Sequence, residues 1–205
     1  MTAAADIIDL LAGIRPGDAL DALRHQRPQA RENAQRSFQA LLEPADAGSF
    51  PLAERYAIAA FVAHVHGFAA ASDFYGDLLG DEAPELVAAV AAAARSGAAT
   101  GPYGVYREPE LRAESTAGPH WTAEAGLGSR LAAGLTHAHL LVFRPRESSP
   151  EALQKLADAG WSADDVVSVS QLVGFLSFQL RAAWALRILS RTPAASTPAR
   201  TGEGA

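Results

Sequence analysis

The sequence contains no cysteine. This absence excludes disulfide bonds, thiolate zinc sites, cysteine-ligated iron–sulfur clusters and every mechanism that needs a cysteine nucleophile or a dithiol. An excess of positive charge is also lacking, since 17 Lys and Arg residues stand against 23 Asp and Glu residues, for a net charge of −6. Because nucleic-acid-binding proteins present a basic excess or a concentrated basic face, we expect no nucleic-acid partner.

Long hydrophobic runs and a basic leader are absent as well. Asp6 and Asp9 stand where a secretory signal peptide would carry basic residues. The uncharged stretch of residues 166–180 is shorter than the roughly 20 residues that span a bilayer. We therefore expect a cytoplasmic protein without a membrane partner.

Residues typical of β-strands are sparse, whereas alanine, the best intrinsic helix former, makes up roughly a fifth of the 205 residues. No segment alternates apolar and polar residues as a strand would. These patterns predict an all-α protein of about seven helices, formed by a single domain over residues 1–190 with its core at about 28–190. Residues 191–205 are rich in small and polar residues and are expected to be a disordered tail.

Capping residues, prolines and glycines predict where the helices begin and end. Asp18 is expected to cap the second helix, and Ser149 with Pro150 to begin a later one. Ser162 and Asp165 form a capping-box pattern. The predicted helices cover residues 6–11, 18–26, 28–43, 51–79 (one helix, or two if Gly67 breaks it), 84–97, 128–142, 149–160 and 162–189.

A glycine- and proline-rich segment from Ser96 to about Pro119 interrupts the helical pattern. Irregular segments of this length in compact domains are usually functional or disordered. Tyr103, Tyr106 and the neighbouring Trp121 favour an ordered, packed loop. Such a loop could cover a pocket, which makes these three aromatic residues candidates for substrate binding.

The helix predicted over residues 162–189 is apolar on nearly every side. A helix with this pattern must be buried all round, and a domain of this size offers little room for that. We therefore expect one face of this helix to pack against another subunit of a homo-oligomer.

Two motifs resemble the carboxymuconolactone decarboxylase and alkylhydroperoxidase D (AhpD-like) superfamily. The first is Leu52-Ala-Glu-Arg-Tyr-Ala-Ile-Ala59, followed by Val65-His-Gly67 and Tyr75; the second is Asp158-Ala-Gly-Trp-Ser162, followed by Phe175–Arg181. They occur in the family's order and cover about two thirds of the chain. The resemblance implies an all-α bundle that assembles into trimers or hexamers.

Peroxidases of this superfamily reduce hydroperoxides with a Cys-x-x-Cys pair, assisted by a Glu and His proton relay. In this chain Phe68 and Ala71 occupy the two cysteine positions, and Tyr56 and Tyr75 occupy the relay positions. Peroxide reduction of this kind needs a reactive thiolate and a resolving thiol. Thiol peroxidase activity is therefore not expected, and Phe68 and Ala71 are expected to fill the former pocket.

The resemblance leaves two functions open. One is a small-molecule-binding or acid–base enzyme that works without thiols, with decarboxylase or lactone-type chemistry at His66, Tyr56, Tyr75 or His139. The alternative is a non-catalytic oligomeric scaffold, as a dimer, trimer or hexamer. His64 and His66 point to nearly opposite sides of a helix, so at most one of them can face a shared pocket. No cofactor is expected.

A His-Ala-His sequence at 137–139 is followed by Arg144, and the run resembles one in cysteine-lacking members of the superfamily. Histidines two residues apart bind one metal ion readily from a strand but poorly from a helix, and no carboxylate pair lies at ligand spacing. We therefore expect no metal site, and His137 and His139 to be buried and hydrogen-bonded at a helix contact or subunit interface. Arg144 could bind an anionic substrate, or interact with the dipole of the preceding helix.

Overall fold

The computed structural model of the protein describes residues 6–191, which form nine α-helices, three short 3-10 turns and no β-strand. The all-α prediction is confirmed, although the α-helices number nine rather than about seven. Arg191, the first residue of the predicted tail, is helical instead, and the rest of the tail lies outside the described residues. The helices are α1 (Ile7–Ala12), α2 (Ala19–His25), α3 (Pro28–Leu42), α4 (Leu52–Val65), α5 (Ala69–Glu82), α6 (Pro84–Ser96), α7 (Ser129–Phe143), α8 (Pro150–Asp158) and α9 (Ala163–Arg191).

The central helix of the bundle is α4, which packs against α5, α6, α7 and α9. All of its residues from Tyr56 to Ala63 are buried. Five of these eight residues are alanine or valine, and such small side chains let the neighbouring helices approach closely. The chain itself therefore buries α4 on all sides, whereas α9 keeps one side exposed.

Gly67 divides the long helix predicted over residues 51–79 into α4 and α5. Its φ of 67° lies in the left-handed region, which glycine adopts at little cost. Phe68 then occupies the N-cap position of α5. The break was one of the two outcomes that the sequence left open.

Three predicted helix starts have different outcomes. Ser149 caps α8 by accepting a hydrogen bond from the Ala152 amide. At the start of α9, Ser162 and Asp165 each accept a hydrogen bond from the other's backbone amide, as in a capping box. Asp18 stands at the N-cap of α2, but its carboxylate accepts from the Arg15 amide at 2.9 Å and not from an amide of the helix. Asp18 therefore occupies the predicted cap position, but its side chain does not cap the helix.

The segment between α6 and α7 is irregular and packed, as predicted. It contains two of the 3-10 turns and one isolated bridge between Gly104 and Thr116. The Tyr103 amide donates to the carbonyl of Phe143, and the Trp121 indole donates to the hydroxyl of Ser96 at 3.0 Å. These bonds fix the segment against α6 and the end of α7.

Arg130 joins α7 to α4 and to the start of α9. Its guanidinium donates to Glu54 at 2.9 Å and to Asp165 at 3.3 Å. It also lies 4.4 Å from the centre of the Trp161 ring, where a cation–π interaction forms. This cluster fixes the position of α7, which carries His137 and His139.

The long helix α9 packs against α1, α3, α4 and α7 along one side. By length and composition it is the one helix of residues 6–191 that could cross a membrane, and a third of its most apolar stretch is buried within the protein. Its opposite side remains exposed, including Val167 and Phe178, each 56% exposed.

Candidate functional site

A cavity of about 570 Å³ lies between α7, α8 and residues 120–125. Its volume falls in the range of pockets that hold small organic ligands. Its lining combines apolar side chains with a set of polar and charged ones. Among the latter are Thr136, His137, His139, Arg144, Glu147 and Lys155.

His137 is buried, and its imidazole has one partner. Its Nε2 lies 2.9 Å from the hydroxyl oxygen of Ser170 on α9. The Ser170 hydroxyl donates its single proton to the carbonyl of Val166, so it can only accept from His137. Nε2 of His137 therefore carries the proton, and its buried Nδ1 is a lone-pair acceptor without a hydrogen-bond partner.

His139 has the same proton arrangement for a different reason. Its Nε2 lies 3.0 Å from the carbonyl oxygen of Gly97, which can only accept a hydrogen bond. The proton is therefore on Nε2, and Nδ1 is the acceptor, with no partner among the described residues. The ring of His139 packs between Trp121 and Phe143, at 5.1 and 4.8 Å between ring centres.

Burial keeps both imidazoles neutral near pH 7. It lowers the pKa of His137 to about 4, because the protein interior solvates the charged form poorly. Burial also lowers the pKa of His139, and the Arg144 guanidinium adds to this effect, although the bond to Gly97 opposes it. Both imidazoles are therefore neutral with Nδ1 as the acceptor atom, and Nδ1 of His137 is itself fully buried.

Arg144 is engaged within the protein. Its guanidinium donates two hydrogen bonds to the Glu147 carboxylate, at 2.7 and 2.5 Å. A third donor bonds the carbonyl of Gly118 at 2.6 Å. Because Glu147 neutralises its charge, Arg144 serves here to hold the loop that forms one wall of the cavity.

Lys155 lines the cavity from α8 and forms no ion pair with a described residue. It is the single lysine of the whole chain, where all other permanent cationic side chains are arginine. Glu151, one helical turn earlier, also lines the cavity. With Arg144 paired to Glu147, the fixed charges around the cavity sum to zero.

The other histidine and tyrosine candidates lie elsewhere. The Tyr75 hydroxyl is fully buried and donates to the side-chain carbonyl of Gln179 at 2.5 Å, and burial raises the pKa of Tyr75 far above its usual range. Burial raises the pKa of Tyr56 as well. His66 lies at the end of α4, 3.4 Å from the hydroxyl of Ser177, and burial with the nearby Arg181 lowers its pKa to about 4. None of these groups lines the cavity that His139 faces.

The positions matched to the family's cysteines are filled with packed side chains. Phe68 is buried and packs edge-on against Trp184, with 5.3 Å between ring centres, and Ala71 is fully buried. A separate hollow of about 270 Å³ lies beside them, lined by His66, Phe68, Leu180, Arg181 and Trp184. No tyrosine hydroxyl and no carboxylate lines that hollow.

The three aromatic candidates of the irregular segment separate in the structure. Trp121 lines the cavity and stacks on Phe61 of α4 at 5.3 Å. Tyr103 and Tyr106 do not line it. The Tyr106 hydroxyl accepts a hydrogen bond from Arg146, and the Tyr103 hydroxyl accepts one from the Thr100 amide at 3.0 Å.

Within residues 6–191, no group of three His, Asp or Glu side chains is arranged to hold a metal ion. His137 and His139 each face a different hydrogen-bond partner, on α9 and after α6 respectively, which keeps their rings from converging on one ion. The lining offers hydrogen-bond acceptors to an organic ligand and no preformed set of metal ligands.

Two features of the site were missed from the sequence. Ser170, which fixes the proton on His137, is one of several serines on an apolar helix and carries no local signal. Lys155 did carry a signal in the sequence, because it is the one lysine among 205 residues.

Comparisons with protein-family models, with curated proteins and with solved structures find no match to this chain.

Proposed function

We propose that the protein binds a small organic molecule in the cavity between α7 and α8, and that the molecule donates a hydrogen bond to Nδ1 of His139. One observation carries this proposal: the bond from Nε2 to the Gly97 carbonyl fixes the proton of His139 on Nε2, which leaves the Nδ1 lone pair of this cavity-lining ring unused. A buried acceptor without a partner costs free energy in the empty protein. A ligand with a hydroxyl or N–H group would recover that cost.

The electrostatics favour binding over acid–base catalysis at this site. A general base works best when its pKa lies near the working pH, and burial holds the pKa of His137 at about 4. A neutral imidazole in this state orients a donor well but removes a proton poorly. Enzymatic decarboxylase or lactone-type chemistry is therefore the less favoured form of the proposal.

The lining also indicates the class of ligand. Its fixed charges cancel, so it does not select strongly for an anion or a cation. Trp121 and His139 offer ring surfaces, and Nδ1 of His139 requires a donor. We therefore propose a small aromatic or cyclic molecule that carries a hydroxyl or N–H group.

Phenol and anisole make a matched pair of probes, because anisole keeps the ring and lacks the donor. Titration calorimetry should detect phenol binding that is stronger than anisole binding. His139→Gln keeps a donor near Nε2 but removes the Nδ1 lone pair, so it should weaken phenol binding by about 3- to 10-fold. His64→Gln, which changes an exposed histidine outside the cavity, is the control. Equal affinity for both probes, or no effect of His139→Gln, would contradict the proposal.

We also propose that the chain is a cysteine-lacking member of the AhpD-like superfamily. The all-α class supports this, as does the position of Phe68 and Ala71 at the start of α5, which packs against α4. In this interpretation, apolar packing has replaced the redox centre, and ligand binding has moved to the cavity beside α7. Cytoplasmic location remains part of the proposal.

A second function, a non-catalytic oligomeric scaffold, is favoured by the unpartnered side of α9. This scaffold function does not require the histidine-lined cavity. A protein that assembles normally and binds neither phenol nor other hydroxyl- or N–H-bearing rings would favour the scaffold over the ligand-binding function.

A further inference from the structure

One side of α9 is exposed along the whole helix. The exposed residues recur every three or four positions, so they form a single stripe. We define this α9 stripe by its central members: Val167, Gln171, Gly174, Phe178, Arg181 and Ala185. At 1.5 Å per residue, the 29-residue helix is about 43 Å long, which is enough for an extended helix–helix contact.

Gly174 lies in the middle of the α9 stripe, and nothing in the protein itself accounts for a glycine there. A Cβ atom added at this position would meet no atom within 4 Å. Glycine in a helix interior costs about 1 kcal/mol relative to alanine. The close approach of another molecule would explain a residue without a side chain at this point.

The α9 stripe is complementary to itself. When two copies of α9 are placed antiparallel about a two-fold axis at Leu176, Gly174 of each copy lies opposite Phe178 of the other. Val167 lies opposite Ala185 by the same symmetry, so a large side chain meets a small one at both levels. This is the pattern that close packing of two helix surfaces requires.

The polar residues of the α9 stripe follow the same symmetry. Gln171 and Arg181 are equally distant from Leu176, so the guanidinium of one copy lies opposite the side-chain carbonyl of the other. A parallel arrangement would instead place Arg181 against Arg181 and Phe178 against Phe178. A two-fold contact must use the same patch on both subunits, and the antiparallel arrangement satisfies this with complementary pairs.

We infer that the protein forms a two-fold symmetric homodimer through the α9 stripe, with the two α9 helices antiparallel and Phe178 of each subunit packed over Gly174 of the other. The partner is a second copy of this chain. The lipid surface of a membrane is the less suitable partner, because Gln171 and Arg181 interrupt the apolar stripe on either side of its centre. No residue of α9 lines the ligand cavity, so the dimer contact and the cavity use different surfaces.

The full-length protein should sediment as a dimer at a concentration on the order of 10 μM. Gly174→Leu should convert it to a monomer, because the new side chain fills the space for Phe178 of the other subunit. In the monomer this leucine meets open space and favours the helix. The unfolding temperature of the Gly174→Leu protein should therefore be no lower than that of a monomeric Phe178→Glu variant. Val105→Glu, which replaces an exposed apolar residue outside the α9 stripe, should remain dimeric.

The decisive variant exchanges the two central residues, Gly174→Phe with Phe178→Gly. Symmetry places the new phenylalanine opposite the new glycine, so this double variant should recover the dimer that each single change abolishes. A monomeric wild-type protein, or a Gly174→Leu protein that remains dimeric, would overturn the inference. A double variant that remains monomeric would overturn the proposed register.

Cross-linking tests the orientation, since the wild-type chain has no cysteine. A mixture of Gln171→Cys and Arg181→Cys proteins should form mixed disulfide-linked dimers faster than either variant alone. In the antiparallel pair, position 171 is about 15 Å along the axis from its own copy, which is too far for a disulfide. Faster cross-linking of Gln171→Cys with itself would overturn the antiparallel arrangement. Loss of the dimer in favour of binding to phosphatidylcholine vesicles would overturn the choice of partner.

Discussion

The unpartnered Nδ1 of His137 should make the stability of the protein depend on pH in a predictable way. In the unfolded chain this histidine has a pKa near 6.5, and burial in the folded protein lowers the pKa to about 4. The unfolded state therefore binds more protons between these two values. By linkage, the free energy of unfolding falls as the pH decreases from about 6.5 to about 4, and the contribution is fully present above this range.

The magnitude follows from the two pKa values. A tenfold difference in proton affinity corresponds to about 1.4 kcal/mol, so His137 alone should account for a loss of about 3 kcal/mol between pH 7 and pH 4. Typical domains have only about 5–15 kcal/mol of stability in total. A single buried histidine is therefore expected to have a visible effect on acid unfolding.

The substitution His137→Gln isolates this contribution, because glutamine can still donate to Ser170 and does not titrate. Urea unfolding followed by tryptophan fluorescence, from pH 7.5 to pH 4, gives the free energy of unfolding for both proteins. The wild-type protein should lose about 3 kcal/mol more than the variant across this range. His66 and the carboxylates titrate in both proteins and cancel in the comparison.

The physical cause can be tested in the same experiment. Burial, and not long-range charge, lowers the pKa of His137, so the difference between the two proteins should persist at high salt. Parallel pH curves for wild type and His137→Gln would refute the reasoning. They would mean that His137 is protonated, or reached by water, in the folded protein.

Three further predictions concern packing and chemistry. Arg130→Met should lower the free energy of unfolding by about 3–5 kcal/mol in urea titrations, because Glu54 then remains half-buried without its ion-pair partner. Gly134→Ala should destabilise the protein in the same assay, since the new Cβ would lie 2.7 Å from the ring of Trp161. Gly76→Ala is the matched control: its new methyl group meets open space, so it should stabilise the protein by up to about 1 kcal/mol. Purified protein supplied with a dithiol should consume no hydroperoxide above the buffer rate, because the chain has no cysteine to attack the peroxide. Measurable turnover would contradict this expectation.

Local sequence signals predicted most of the helix boundaries. Ser149, Ser162 with Asp165, and Gly67 act through bonds or backbone angles within a few residues of themselves, so the sequence contains the whole cause. Asp18 shows the limit of such signals. Its carboxylate bonds the preceding turn at Arg15, a choice between two nearby amides that a capping pattern alone does not decide.

Burial was harder to predict, because it depends on which helices pack together. Both α4 and α9 are apolar on several sides, yet α4 is central and α9 leaves one side exposed. The two helices differ in side-chain size at the positions where neighbours approach. Five alanines in α4 allow contacts on all sides, whereas Phe178 and Val167 point outward from α9 and no residue of 6–191 covers them.

The same limit applies to the candidate site. Histidines two residues apart on a helix do point in different directions, and His137 and His139 reach partners on opposite sides of α7. Both nevertheless line one cavity, because the cavity follows α7 from residue 129 to residue 144. The two-residue spacing therefore predicted correctly that the two rings point in different directions, but it did not predict that both residues line one cavity. Since the bond to Gly97 fixes the His139 ring, a ligand in the cavity meets an acceptor whose position is set by the protein, and this is what would allow the site to distinguish ligands that carry a donor from those that lack one.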